Sequence, residues 1–315
     1  MGHKEIGGYF ELETYGTPPF HENAVRLNSA RNALRYIIRA YGIKVMNVPF
    51  YTCPVVWDAI KSENCEISFY DIDNGFMPCR DFRDDEYILV NNYFGICDEN
   101  IKKLSGTYKN LIVDNAQSFY FAPHGLASFY SPRKFFGLPD GGLLCCEKQI
   151  NDDFGMDLSF NRMSHLLERH DAGAVAGYNN FKTNDASLDG QPIKAMSALT
   201  QALMSNISYE ESRRIRNVNY CFIKNELADI NELEISKDVN APMVYPLLYG
   251  GDGLRERLIE NRIYVAKYWD GIEKIAPHDS RAVYLRDNLL PIPIDQRYTT
   301  EDMKRINDVI KKEGK

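Results

Sequence analysis

The sequence predicts an α/β fold: a large domain with a mostly parallel central sheet, followed by a small C-terminal α+β domain. Three observations point there. Compact apolar runs, YILVNN at 87–92 and NLIVD at 110–114, have the composition of strands buried in a parallel sheet. Helix-like and strand-like segments alternate through the first half, as βαβ units require. After about residue 150 the pattern turns more helical, and from about 231 short apolar segments return in a different order.

Taken along the chain, SARNALRYIIRAY (29–41) puts Ala33, Leu34, Ile37, Ile38 and Tyr41 on one helical face. Asn28 or Ser29 is its N-cap and Gly42 its stop. KVMNV (44–48) then reads as a strand closed by Pro49, 54–63 as a helix, EISFYDI (66–72) as a strand and GGLLCCE (141–147) as another. A polar-apolar stretch at 192–230 connects two regions. Beyond it come ELEI, a MVYPLL strand, a helix at 252–262, IYV, LLPIPI and a last helix at 300–313. The domains are expected at 1–210 and 211–315.

Composition narrows the function. A net charge of −7 lacks the basic face that nucleic acid demands, and the Arg213-Arg214-Arg216 cluster reads as a solvated helix face. No apolar run approaches the roughly 20 residues of a membrane span, and the first residues show no signal region. Seven Cys without a Cys-x-x-Cys pair, and six scattered His, point to reduced thiols, a cytoplasmic protein and no metal site. No Gly-rich dinucleotide or Walker sequence is present.

Three pieces fit one chemical task. Asp114 ends a strand, where open α/β sheets bind ligands; alone it would be an ordinary turn or capping Asp. Lys134 stands between a Ser-Pro turn and Phe135-Phe136, where partial burial would favour the neutral, nucleophilic amine. Ser131 can donate to a phosphate, and Gly141-Gly142 allow close backbone approach. LNSAR (27–31) opens a helix whose free amides suit a phosphate. Each of the last two, alone, would be an exposed loop lysine or a plain capped helix.

In this order the pieces resemble the DegT/DnrJ/EryC1/StrS family of sugar aminotransferases, within the fold type I (aspartate aminotransferase-like) pyridoxal-phosphate (PLP) enzymes. SAR (29–31), DNAQ (114–117), SFYSPRK (128–134) and DGG (140–142) carry the resemblance. NVPFYTCPVVWDAI (47–60), NNYFG (91–95), GYN (177–179) and LLPIPIDQRYTTEDMKRI (289–306) extend it over most of the chain. The chain is shorter than most members, the interval from Ser128 to Lys134 is one residue longer than usual, and the Arg133-Lys134 pair is unusual.

The resemblance implies PLP held as a Schiff base on Lys134, with Asp114 on the pyridine nitrogen and Gln117 toward the phenolic oxygen. Ser29, the Ala30 backbone, Ser131 or Ser128, and Asn179 from the neighbouring subunit of a homodimer would hold the phosphate. Tyr51 is the stacking aromatic, with Tyr93 and Phe94 as rivals. The donor implied is an amino acid, glutamate, and the acceptor a nucleotide-linked keto-sugar for surface polysaccharide. A small ketone, or binding without catalysis, is the alternative. Arg31, Arg133, Arg213 and Arg214 are candidates for the donor carboxylate or sugar diphosphate. A lysine where the related sugar dehydratases have histidine favours transamination.

Overall fold

The computed structural model describes residues 9–10, 12–235 and 239–312. The first half runs β1 (Val25–Leu27), α1 (Ala30–Tyr41), β2 (Val45–Pro49), α2 (Pro54–Lys61), β3 (Glu66–Tyr70), β4 (Tyr87–Asn91), α3 (Asp98–Thr107), β5 (Leu111–Asp114), β6 (Ala127–Tyr130) and β7 (Gly142–Cys146). Its seven strands form one sheet in the order β1-β7-β6-β5-β4-β2-β3. Neighbours from β3 to β6 pair in parallel, while β7 runs antiparallel to both β1 and β6. This is the predicted α/β class.

The sequence explains the elements. Ser29 caps α1 by accepting from the Asn32 amide at 3.2 Å, and Gly42 ends it in the left-handed region at φ 64°. Ala33, Leu34, Ile37 and Ile38 are buried on the predicted face. Leu111, Ile112 and Val113 of β5 are all buried, as a central parallel strand should be. At β6 and β7 the two-residue period reappears: Phe129 and Leu144 join one apolar cluster, Tyr130 and Leu143 another. Strands β1 and β6 and helix α3 go beyond the elements read from sequence.

The second half comprises α4 (Ser164–Ala172), α5 (Tyr178–Ser187), α6 (Ala198–Met204), α7 (Tyr209–Leu227), β8 (Val244–Leu248), α8 (Leu254–Glu260), α9 (Arg281–Asn288), β9 (Leu289–Pro293) and α10 (Thr300–Lys311). Strands β8 and β9 pair antiparallel. Tyr220 and Ile223 of α7, Leu258 of α8 and Met303 and Ile306 of α10 pack with them into a separate core. Arg216 departs from expectation. It is a core residue and not part of a solvated face: its side chain donates to the Pro242, Met243 and Phe135 carbonyls, each at 3.1 Å. Among the described residues no helix is long and apolar enough to cross a membrane.

A buried polar knot fixes the chain before β7. The Asp140 carboxylate accepts from the Ser159 and Thr200 hydroxyls, both at 2.5 Å, and from Arg162 Nε at 2.8 Å. Removing the carboxylate takes the acceptor from two buried hydroxyls and from Arg162 Nε, although Ser159 can still donate to Ser197 at 2.6 Å. Arg162 would keep Asp157 at 2.6 Å, which limits the damage. Asp140→Ala is therefore expected to cost about 3 kcal/mol, the lower end for a broken buried pair, as a fall in urea midpoint.

Candidate active site

The chain leaves β2 toward β3 at one edge and returns to β4 on the other side of β2. That reversal opens a crevice at the carboxyl ends of the strands, where α/β sheets bind ligands. A small open cavity lies there. Cys53 at the start of α2, Asn91 and Asn92 at the end of β4, and Asp114, Ala116 and Gln117 at the end of β5 line one part of it. Lys134 and Trp269 complete the lining. The structure thus brings together Asp114, Gln117 and Lys134, three of the residues singled out in the sequence.

A hydrogen-bonded frame holds the strand ends. The Asn92 amide donates to the Asp114 carbonyl at 3.0 Å, and its side-chain amide donates to Asp98 at 2.8 Å and Asn115 at 3.2 Å. The next turn takes Phe94 and Gly95 into the left-handed region, at φ 57° and 75°. A Cβ on Gly95 would lie 3.0 Å from both the Gln117 carbonyl oxygen and the Pro242 Cα, so only glycine fits. This turn aims the Phe94 amide at Gln117 Oε1, 2.9 Å away. Gln117 Nε2 is left buried without a partner, an orphaned donor beside the cavity.

Burial raises the Asp114 pKa, partly offset by the Lys134 charge and by the Ala116 amide, which donates to Oδ1 at 2.8 Å. Lys134 sits in a short turn whose amide donates back to the Ser131 carbonyl at 3.1 Å. Phe135 and Phe136 are buried, but Lys134 itself is exposed, contrary to the partial burial expected from its neighbours. The turn sends the two rings inward and the lysine outward to the cavity. Arg216 and Gln296 both donate to the Phe135 carbonyl, at 3.1 and 2.7 Å, and the Arg216 guanidinium lies 4.6 Å above the Phe135 ring. Burial pulls the Arg216 pKa down to about 10.

The start of α1 meets the β7 strand at Gly142. A Cβ there would come within 2.3 Å of the Ser29 carbonyl and 2.5 Å of the Ala30 nitrogen. The close approach expected of the glycine pair is present. Ser29 and Ser131 are buried and Ala30 half-buried, and none of the three lines the cavity. Ser128 also stands apart: its hydroxyl donates to the His124 carbonyl at 2.8 Å and accepts the His124 amide at 3.0 Å, so it is occupied by its own turn. Asn179 is exposed on α5. Tyr51 is fully buried with its hydroxyl unpartnered, packed against Tyr93 and Trp269. Its rivals Tyr93 and Phe94 are also fully buried. Trp269 is the lining side chain that sequence reasoning missed; Cys53, Asn91 and Asn92 were quoted there only as parts of motifs.

The candidate arginines are already engaged. Arg31 pairs with Asp189 at 2.9 Å and with Asp185, and Arg133 bonds Asp185 as well. Burial opposes the Asp185 charge, but Arg133 and Arg31 hold its carboxyl below the usual range. Arg213 donates to Asn240 at 2.7 Å and Arg214 pairs with Glu211 at 2.7 Å.

No family model matches this sequence, and no curated protein resembles it in sequence. Solved structures do resemble it. CalS13, a sugar aminotransferase from Micromonospora echinospora, is 16% identical over 92% of this chain and 87% of its own, with a TM-score of 0.63. A DegT DnrJ EryC1 StrS aminotransferase from Brucella abortus is 15% identical over 93% and 86%, with a TM-score of 0.60. The GDP-4-keto-6-deoxy-D-mannose-3-dehydratase of E. coli, solved with hydrated PLP, is 17% identical over 91% and 87%, with a TM-score of 0.63. The chain therefore has the fold type I architecture of the PLP-dependent transferases. Within that class it shares the fold of the DegT/DnrJ/EryC1/StrS aminotransferases.

Two outcomes follow from this geometry. The folded chain binds a proton on Asp114 more tightly than the unfolded chain. Stability therefore falls as pH rises from the ordinary carboxylate range through the raised value, and stays lower above it. Without ligand at neutral pH, Asp114→Asn should melt above wild type, the gap closing toward acid; calorimetry across pH measures this, and a lower-melting Asn variant would refute the burial argument. Gly142→Ala must push α1 away from β7, at a cost of about 1–3 kcal/mol readable by urea denaturation.

Proposed function

We propose that this chain is a PLP-dependent aminotransferase that moves an amino group from an amino acid, glutamate, to a nucleotide-linked keto-sugar for surface polysaccharide. The observation that carries the reading is one small cavity lined by both a strand-end carboxylate, Asp114, and an exposed lysine amine, Lys134. The residues present fit the cofactor on independent grounds. Gln117 offers a buried amide with no partner in the protein.

Bound there, PLP supplies an electron sink for the Cα of an amino acid. Asp114 would accept a hydrogen bond from the protonated pyridine nitrogen, and the adjacent Lys134 charge helps keep its carboxylate ionised. Gln117 Nε2 would donate to the phenolic oxygen. Ser29, the Ala30 amide, Ser131 and the partner subunit's Asn179 would hold the phosphate. The Lys134 amine would remove and return the Cα proton, a task worth on the order of 10²–10⁴-fold in rate. An amine that stays in place to return the proton suits transamination better than dehydration.

The rest of the reading follows from this. The chain works in the cytoplasm as a homodimer. Leu167, Val175, Tyr178 and Phe181 of the α4–α5 region are exposed beside Asn179, an apolar surface for the second copy to cover. A domain division near residue 210 is supported by α7, whose Tyr220, Ile223 and Leu227 pack in the β8–β9 core.

An absorption spectrum tests the site. Wild type given PLP should show a visible band that glutamate converts to the pyridoxamine form, and Lys134→Ala should lack the band. An unchanged band in the variant removes Lys134 from the proposal. A band that glutamate leaves untouched reduces the protein to a PLP binder.

A further inference from the structure

We propose that Trp269 is the ring against which the cofactor packs, so that the C-terminal half of the chain builds one wall of the site. The inference rests on the PLP reading above and assigns a role to a residue outside every motif quoted for it. A pyridine ring in an open crevice needs an apolar face as well as polar contacts at its edge. The aromatic residues nearest in sequence to the strand ends do not provide it: Tyr51, Tyr93 and Phe94 are all fully buried and none lines the cavity. At the start of α2 the lining residue is Cys53, a small thiol. The aromatic ring in the lining belongs to Trp269, which is half-buried.

Its neighbours hold that ring in place. Trp269 packs on Tyr51 with centroids 5.0 Å apart and on Tyr268 at 5.1 Å, and Tyr268 in turn stacks on Phe94 at 6.2 Å. Phe94 is the residue whose amide holds Gln117. One continuous aromatic row therefore runs from Tyr51 through Trp269 to the turn that orients the orphaned amide. A Cβ on Gly271 would meet Pro54 and Trp57 of α2 at 3.6 and 3.9 Å, so the segment carrying Trp269 runs close to the start of α2.

The test measures PLP affinity and the circular dichroism of the bound cofactor band, neither of which requires turnover. Trp269→Leu should raise the PLP Kd about ten-fold, in the range that ring stacking contributes, and weaken the dichroic band; Trp269→Phe should keep most of both. A Trp269→Leu protein with wild-type Kd and dichroism overturns the assignment while leaving the PLP reading intact. A wild type that takes up no PLP overturns both. Should the Leu variant fold poorly, the chain's two tryptophans allow a second measurement. In a Trp57→Phe background the remaining emission belongs to Trp269, and it should be quenched in step with PLP uptake. Emission unchanged at saturating PLP is incompatible with ring contact.

Discussion

The Asp114 carboxyl lies where burial works against its charge. Its position follows from β5, a strand buried through Leu111, Ile112 and Val113, which delivers its last side chain to the crevice where the sheet reverses. Burial there works against the charge, and the Ala116 amide and the Lys134 ammonium only partly compensate. A cationic ring nitrogen would supply what is missing. The ligand-free site is thus poised by strain in its electrostatics, and the price is stability that a different residue would restore. The orphaned Gln117 amide belongs to the same pattern: a buried donor left without a partner costs free energy unless a ligand arrives to accept from it.

Neither group could hold its place without contacts from later in the chain. The turn that fixes Gln117 leans on the second half, since the Phe94 carbonyl accepts from the Met243 amide at 2.8 Å. The lysine turn does the same through Phe135, whose carbonyl takes two donors, Arg216 and Gln296. Burying an arginine is expensive unless its donors are met. Here three carbonyls and an aromatic face meet them, although Nε is left unpartnered. The result is a short rigid segment that keeps two Phe rings in the core and leaves Lys134 at the mouth.

What was legible in the sequence was local. Strand β5 showed as a solid apolar run, α1 as a capped amphipathic helix, and the glycine pair as a close backbone approach, because each depends on neighbours a few residues away. Asp114 and Lys134 were legible because strand ends and Ser-Pro turns have positional meaning. Burial of Lys134 was misjudged because the flanking rings and the lysine point in opposite directions, which sequence spacing cannot reveal. Arg216 looked solvated beside Arg213 and Arg214, yet it lies two positions beyond Arg214, about 200° around the helix, and its side chain enters the core. Ser128 looked like a phosphate ligand by motif, but its hydroxyl closes a turn with His124. Trp269 carries no local signal at all; only the tertiary fold brings it to the strand ends.

The arginines show how charge is allotted around this mouth. Arg31 stands at the opening of α1 and Arg133 next to Lys134, and both converge on Asp185 of α5. Arg31 also pairs with Asp189, so the two arginines are matched by two carboxylates, and together with Lys134 they hold the Asp185 carboxyl ionised. An anionic ligand entering near the start of α1 would meet the helix's opening amides without any arginine having to break its pair. The arginines are thus engaged with α5, which leaves backbone amides and small side chains for any hydrogen bonds to a ligand. The shared Asp185 carboxylate also ties α5 to the lysine turn and to the start of α1 through ion pairs whose geometry depends on all three elements being in place.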